Sequence, residues 1–519
     1  MKKLICLLGI TALVFSCGSS QKSTSTPSSN SKKADVTTYA KSITAAELKE
    51  ALYTYASDEF EGRETGQPGQ KKAVEYLKSH YVALGISSAM PNNDYFQEVP
   101  LQIQKTPIIN LAVNGTEFKA LDQFVSVSST VDGNVTANNV VYAAYGIDDE
   151  KYSNYNNLDV KDKVVLIKAG EPKDASGNYI ITGTDEASKW SNFRQAYVAK
   201  KDAAIAKGAK AVLFYDAQTY PLAVRYFGGS QGRMSLKGNL DAQYYLLINT
   251  DLAKALHANI DTSDKPEVLT SNFKLDYKNE STNFESENVV ALIKGSEKPD
   301  EVIVVSAHLD HEGIKDGKVY NGADDDGSGS VAMLEIAEAF QQAVKDGNGP
   351  KRSILFLHVT GEEKGLLGSS YYTDVDPIIP LKNTVADLNI DMIGRTDPKR
   401  EGTNRNYLYL IGSDKLSTEL HNISEEINKK YCNIELDYTF NDENDPNRFY
   451  YRSDHYNFAK NNVPVIFYFN GTHDDYHQPS DTPDKIEYDL LENRTRLIFH
   501  TAWELANREK RITVDKAAK

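Results

Sequence analysis

An α/β sandwich around a mostly parallel sheet, interrupted by a β-rich insertion, is the fold this sequence predicts, and three observations predict it. From about residue 285 buried strand-like runs alternate with segments of helical periodicity, the pattern of strands crossing over through helices. Between about residues 120 and 282 the texture is instead that of short strands and turns. Acids and histidines recur where the later strands end, which is where sites form in sheets of this kind.

Taken in order, "ITAAELKEALYTYASDEFEGRETGQPGQKKAVEYLKSHYVALG" reads as helix, glycine-containing loop, helix. Its glycines suit a tight loop, and Arg63 within it reads as structural rather than catalytic. "NNVVYAAYG", "KDKVVLIKAG", "KAVLFYD" and "QYYLLIN" then read as strands, with one clear helix ending at Gly208. In the last part "NVVALIKG", "EVIVVSAHLD", "KRSILFLHVTGEE", "TVADLNIDMIG" and "VPVIFYFN" are strands. "SGSVAMLEIAEAFQQAVKD", residues 414–431 and residues 487–508 are helices, and "GLLGSSYYT" suggests another.

The 519 residues, 40% hydrophobic and 25% charged, suffice for two domains or for one large domain with an insertion. A net charge of −15 argues against nucleic acid and against electrostatic binding to anionic lipid. The N-terminus, "MKKLICLLGITALVFSCGSS", pairs two lysines with an apolar run too short to span a bilayer, the pattern of an export signal. "VFSC" resembles a bacterial lipobox, which implies lipidation of Cys17, and a polar tether follows it. The expectation is an exported lipoprotein held at the membrane only by its anchor, facing the periplasm or the cell surface. Beyond Cys6 and Cys17 only Cys432 remains, so the mature chain has no intrachain disulfide, and Cys432 reads as a structural thiol.

Five strand-end stretches carry potential metal ligands: "SAHLDH", "GADDDGSG", "GEE", "NIDMIG" and "DDYHQPSDTPDK". Singly, a strand-end aspartate serves as well as a helix cap, and a lone histidine as a packed residue. Together they form a set of imidazoles and carboxylates without thiolate, which suits hydrolytic zinc, and one carboxylate can bridge two metals. His358 lies inside a strand and reads as packed, while His311, His473 and Asp481 crowd the same loops as supporting residues.

The ordered series "AHLDH … GADDDGSG … TGEEKGLLGS … NIDMIG … YHQPSDT" resembles metallopeptidase family 28, the co-catalytic zinc aminopeptidases together with the glutamate carboxypeptidase II group. The resemblance implies the zinc-peptidase α/β/α sandwich with a mostly parallel, mixed central sheet. It implies two Zn²⁺ per catalytic domain, one held by His308 and Asp391, the other by Glu363 and His477, with Asp325 bridging. Asp310 would orient His308 through its carboxylate, and the peptide after Asp325 would be cis. Glu362 would be the general base, peptides the substrates, and in the aminopeptidase branch the substrate's free α-amine would reach the metals.

Residues 121–282 resemble, more loosely, a protease-associated domain, a common insertion in the family. The implied division is a lipoprotein signal peptide at 1–17, a disordered tether at 18–40, catalytic residues at 41–120, the insertion at 121–282, the main catalytic domain at 283–510 and a tail at 511–519. "YYRSDHYNFA" resembles a family segment near the substrate pocket. Asp454 there suits a helix N-cap, Tyr451, Arg452 and Asp454 a pocket lining, and Arg448 and Arg452 are of the type that reads a carboxylate, with ordinary surface pairing as the alternative. An aminopeptidase is the leading expectation. A glutamate carboxypeptidase-like enzyme is the alternative; a glutaminyl cyclase or a non-catalytic binding protein is disfavoured because all five ligand positions and the base are retained.

Overall fold

In the computed structural model, which describes residues 35–127, 129–228 and 232–516, a nine-stranded mixed sheet carries the candidate site. The predicted signal peptide, Cys17 and most of the tether lie outside the described residues. Among the described residues, no helix is long and apolar enough to cross a membrane.

Four neighbouring strands form the parallel centre of the sheet: Val465–Phe469, Thr384–Ile390, Lys298–His308 and Arg352–Val359. They are Val-, Ile- and Leu-rich, and each is buried along its length from Val302, Arg352, Thr384 and Val465 onward, as expected of strands covered on both faces. Antiparallel strands flank this centre, with Tyr407–Ile411 on one side and Thr282–Ile293 followed by Phe96–Gln104 on the other. The helices Gly329–Lys345 and Tyr488–Asn507 pack on the Lys298–His308 strand. Two N-terminal helices, Ala45–Tyr55 and Pro68–Leu84, pack against Gly329–Lys345. The first begins at Thr44, whose hydroxyl accepts from the Glu47 N–H; the second starts on Pro68 and stops at Gly85, in the left-handed region at φ 76°.

A second sheet of eight strands is drawn from residues 108–278. Its first strands, Ile108–Val113 and Thr116–Phe118, precede residue 121 because Ile108–Val113 pairs with Glu267–Lys278. Apolar clusters cover both of its faces, one around Leu166, Leu213 and Leu246, the other around Val165, Val212 and Leu247. One strand of this stretch, Arg233–Leu236, joins the first sheet instead, pairing with the edge of Phe96–Gln104.

Among buried groups remote from the candidate site, Glu335 on the Gly329–Lys345 helix is only 7% exposed. Burial, with repulsion from Glu47 and Glu338, pushes its carboxyl up to about 8. The folded protein therefore holds this proton to higher pH than the unfolded chain does. The resulting stabilisation is fully present below about pH 4.5 and is lost as pH rises through about 8. Glu335→Gln is expected to flatten that decline, on the order of a few kcal/mol, as read from urea unfolding at pH 5 and pH 8.5. Cys432 is a free thiol whose pKa burial raises to about 12, in keeping with a structural role.

Candidate metal centre

The four parallel strands end at the same edge of the sheet, so the residues that close them converge. His308 is the last residue of its strand, Asp391 follows Ile390, Glu362 and Glu363 follow Val359 by three and four positions, and His477 lies on the loop after Phe469. Asp325 enters from the turn before the Gly329–Lys345 helix, and the Asp325–Asp326 peptide is cis, as the resemblance implies.

Asp325 lies between two donor sets and turns one oxygen to each. Its Oδ1 is 3.1 Å from His308 Nε2, which is 3.7 Å from Asp391 Oδ1. Its Oδ2 is 3.1 Å from His477 Nε2, which is also 3.1 Å from Glu363 Oε2. His311, expected among the supporting residues, stands fully buried on the second side, its Nδ1 2.9 Å from Glu363 Oε1. The groups His308, Asp325, Asp391 and His311, Asp325, Glu363 each bring ligand atoms within 4.8 Å of one another, and so do Glu312, Glu363 and His477.

These residues fit a divalent transition metal. His308 Nε2, Asp325 Oδ2 and Glu363 Oε1 are buried without hydrogen-bond partners, although oppositely charged groups stand at ion-pair distance. Atoms so arranged aim at a common point rather than at each other. Borderline imidazole donors mixed with carboxylates favour zinc over magnesium or calcium. Burial raises Asp325, but the surrounding imidazoles overcome it and hold the carboxyl well below its usual range; in the same way Glu363 is held at about 2. Both carboxylates are thus ionised and ready to ligate.

The three consecutive aspartates divide their tasks. Asp324 accepts the Gly394 N–H at 2.7 Å and stands 3.1 Å from His473 Nε2. Asp326 accepts the N–H groups of His308, Gly329 and Met392, tying three ligand-bearing segments together, while Asp325 alone faces the donor sets. Asp481 accepts from the backbone N–H groups of Asp324 and Asp325. Gly322, at φ 52°, is needed because a Cβ there would lie 2.1 Å from the Asp325 carbonyl oxygen. Arg63 is buried and donates to the carbonyls of Tyr55, Leu309, Asn321 and Gly322, so it pins the loops after His308 and before Asp325.

Glu362 lines the same small cavity as Asp325 and Asp391, yet it belongs to none of the three donor groups. Burial, reinforced by Glu363 and Asp391, pushes its carboxyl well above the usual range. Its N–H donates to Asp310 Oδ1 at 3.1 Å, and the other Asp310 oxygen accepts the Thr65 hydroxyl at 2.7 Å. This differs from the expected role of Asp310. His308 Nδ1 meets the backbone carbonyl of Asp310 at 3.0 Å, because the carboxylate is already engaged with the Glu362 loop and Thr65.

Two further expectations also change. Asp454 neither makes a side-chain cap bond to the helix His455–Ala459 nor lines the metal cavity; it is fully buried and accepts the Ser369 hydroxyl. Tyr451 does not line the metal cavity. It lies on a separate cavity of about 600 Å³ with Arg448 and Tyr456, which contains none of the metal-donor groups. Arg452 does line the metal cavity, beside Phe449, Phe467, Phe469, Thr472 and Tyr476, none of which the sequence reading selected. His358 is packed as expected, 2.8 Å from the Tyr81 hydroxyl, and burial lowers its pKa to about 3.

Aminopeptidase YwaD of Bacillus subtilis (strain 168) is 27% identical over 237 residues, 44% of this chain and 47% of that protein. The probable glutamate carboxypeptidase LAMP1 of Arabidopsis thaliana is 32% identical over 117 residues, 22% of this chain and 16% of that protein. Both matches span less than half of the relative's own length. Among solved structures, an aminopeptidase from Aneurinibacillus sp. strain AM-1 aligns with a TM-score of 0.46 at 19% identity, covering 93% of this chain and 98% of that one. Residues 288–502, which carry every candidate ligand and Glu362, match the model of peptidase family M28.

Proposed function

We propose that the protein is a zinc-dependent exopeptidase, an aminopeptidase that removes N-terminal residues from peptides, with two Zn²⁺ in the catalytic domain. One observation carries this reading: the two oxygens of Asp325 face separate His- and carboxylate-containing donor sets, while Glu362 lies beside them outside both. His308 and Asp391 would hold one ion, Glu363 and His477 the other. Bound there, zinc would supply Lewis acidity toward an attacking water and the scissile carbonyl.

The chain's own groups supply the remaining steps. Glu362 takes the water's proton as the new C–O bond forms and returns it to the amine as the C–N bond breaks. Its Asp310 hydrogen bond holds the Glu362 backbone to the loop that follows His308. The closely packed aromatic side of the cavity, with Phe449, Phe467 and Phe469, limits water around the reacting amide. The second sheet, read as a protease-associated-like insertion, would restrict access to this edge.

The test is hydrolysis of aminoacyl nitroanilides, free and N-acetylated, by the protein as purified, after chelation and after zinc return. Cleavage confined to the free-amine substrates, lost on chelation and regained with zinc, is the expected result. Equal cleavage of the acetylated substrates would overturn the aminopeptidase assignment.

A further inference from the structure

Arg452 is exposed, but it is not loosely placed. Its guanidinium lies over the Phe449 ring, 4.8 Å from the centroid, and its Nη2 donates to the Tyr476 hydroxyl at 3.3 Å. The Tyr476 ring in turn stacks on His477, with centroids 3.9 Å apart and planes at 25°. The cavity that Arg452 borders measures about 30 Å³ and has Asp325, Glu362 and Asp391 on its wall.

Several other arginines of this acidic chain meet carboxylates, Arg352 with Glu301, Arg395 with Asp475, Arg400 with Glu435 and Asp437, Arg405 with Asp489, while Arg63 and Arg494 donate to backbone carbonyls. Among the described residues, Arg452 meets an aromatic face and a phenol but no carboxylate at ion-pair distance. Stacking fixes the plane of the guanidinium and leaves donor groups of its fork unspent. A fork held in place beforehand loses little side-chain entropy when it takes up an anion.

We propose that Arg452 selects substrates carrying a carboxylate close to the scissile bond. This rests on the peptidase reading above and adds the substrate class to it. The carboxylate has two sources, the side chain of an acidic N-terminal residue or the free C-terminus of a dipeptide; both offer the same planar, bidentate acceptor. Arg452 then acts as a specificity determinant at the rim of the metal cavity, and Tyr476 sets its distance from His477.

The experiment measures kcat/KM of the full, zinc-loaded chain on two matched pairs: glutamyl against glutaminyl nitroanilide, and alanyl-alanine against alanyl-alanine amide. The member with the carboxylate is expected to be preferred roughly 10- to 100-fold in at least one pair, carried mainly by KM. The pair that shows the preference identifies the source. Arg452→Met is expected to bring that ratio close to one, Arg452→Lys to restore part of it, and Arg452→Glu to invert it. Zinc content and melting temperature of each variant verify that the centre is intact. Cleavage by the wild type without preference in either pair, or a ratio that survives Arg452→Met, overturns the assignment of Arg452 while leaving the peptidase reading standing. Failure of the zinc-loaded wild type to cleave any of the four substrates or the free aminoacyl nitroanilides overturns both.

Discussion

Glu362→Gln is expected to lower turnover by roughly 10²- to 10⁴-fold while leaving bound zinc and fold intact. The two halves of this expectation have separate causes. Turnover falls because an amide cannot accept the water's proton. Metal and fold persist because Glu362 belongs to no donor group, and because burial already disfavours its charged form, so the neutral amide suits its surroundings. Steady-state kinetics together with metal analysis and a melting curve check both halves at once. Wild-type turnover in the variant would show that another group is the base; loss of zinc would show that Glu362 is a ligand.

The second large effect is expected at Asp325. Its two oxygens face two donor sets, so Asp325→Asn weakens both metal positions together, whereas His308→Ala and His477→Ala each strip one side. The expected pattern is about two zinc equivalents in the wild type, about one in either histidine variant and less than one in Asp325→Asn, with activity undetectable in the last. Thermal stability supplies an independent reading. A ligand at about 100 times its Kd stabilises the native state by about 2.7 kcal/mol, so zinc is expected to raise the melting temperature of the wild type and to leave that of Asp325→Asn nearly unchanged. Two tightly held equivalents in Asp325→Asn would remove Asp325 from the bridge.

The stretches that build the candidate centre were legible because imidazoles and carboxylates recur at strand ends that parallel strands bring together, whereas the choice of individual ligands, Asp325 among three consecutive aspartates included, came from the family resemblance. His308, Glu363, Asp391 and His477 follow or end strands that meet at one edge of the sheet, and Asp325 joins them from the turn before the Gly329–Lys345 helix. What was not legible depended on which atom of a residue is used. Sequence places Asp310 beside His308 but cannot tell that its carbonyl faces the imidazole while its carboxylate holds Thr65 and the Glu362 N–H. Asp454 looks like a cap by position, but Ser369, 85 residues earlier, draws its carboxylate inward.

Long-range partners hid other roles. Nothing local to "EGRETG" shows that Arg63 will meet carbonyls of residues 55, 309, 321 and 322. Phe467 and Phe469 look like ordinary members of a buried strand, and only the sheet order shows that they line the cavity as well. The boundaries of the second sheet were similarly hidden, since the Ile108–Val113 strand gains its partner only at Glu267–Lys278.

The antiparallel ladder between Phe96–Gln104 and Thr282–Ile293 has a consequence for how this chain tolerates change. Residues 96 and 289 pair at one end and 103 and 282 at the other, so the chain leaves the ladder after 104 and returns to it at 282 at neighbouring points, like the loop of a hairpin, with Arg233–Leu236 the one described strand of the excursion that pairs back onto Phe96–Gln104. The entropy of closing such a loop grows only with the logarithm of its length, each doubling costing about 0.6 kcal/mol. The excursion can therefore lengthen, shorten or exchange its contents while the ladder holds its ends together and His308, Asp325 and Glu363 keep their spacing. Length variation between related chains is expected to collect there, with the positions after residue 282 keeping their count.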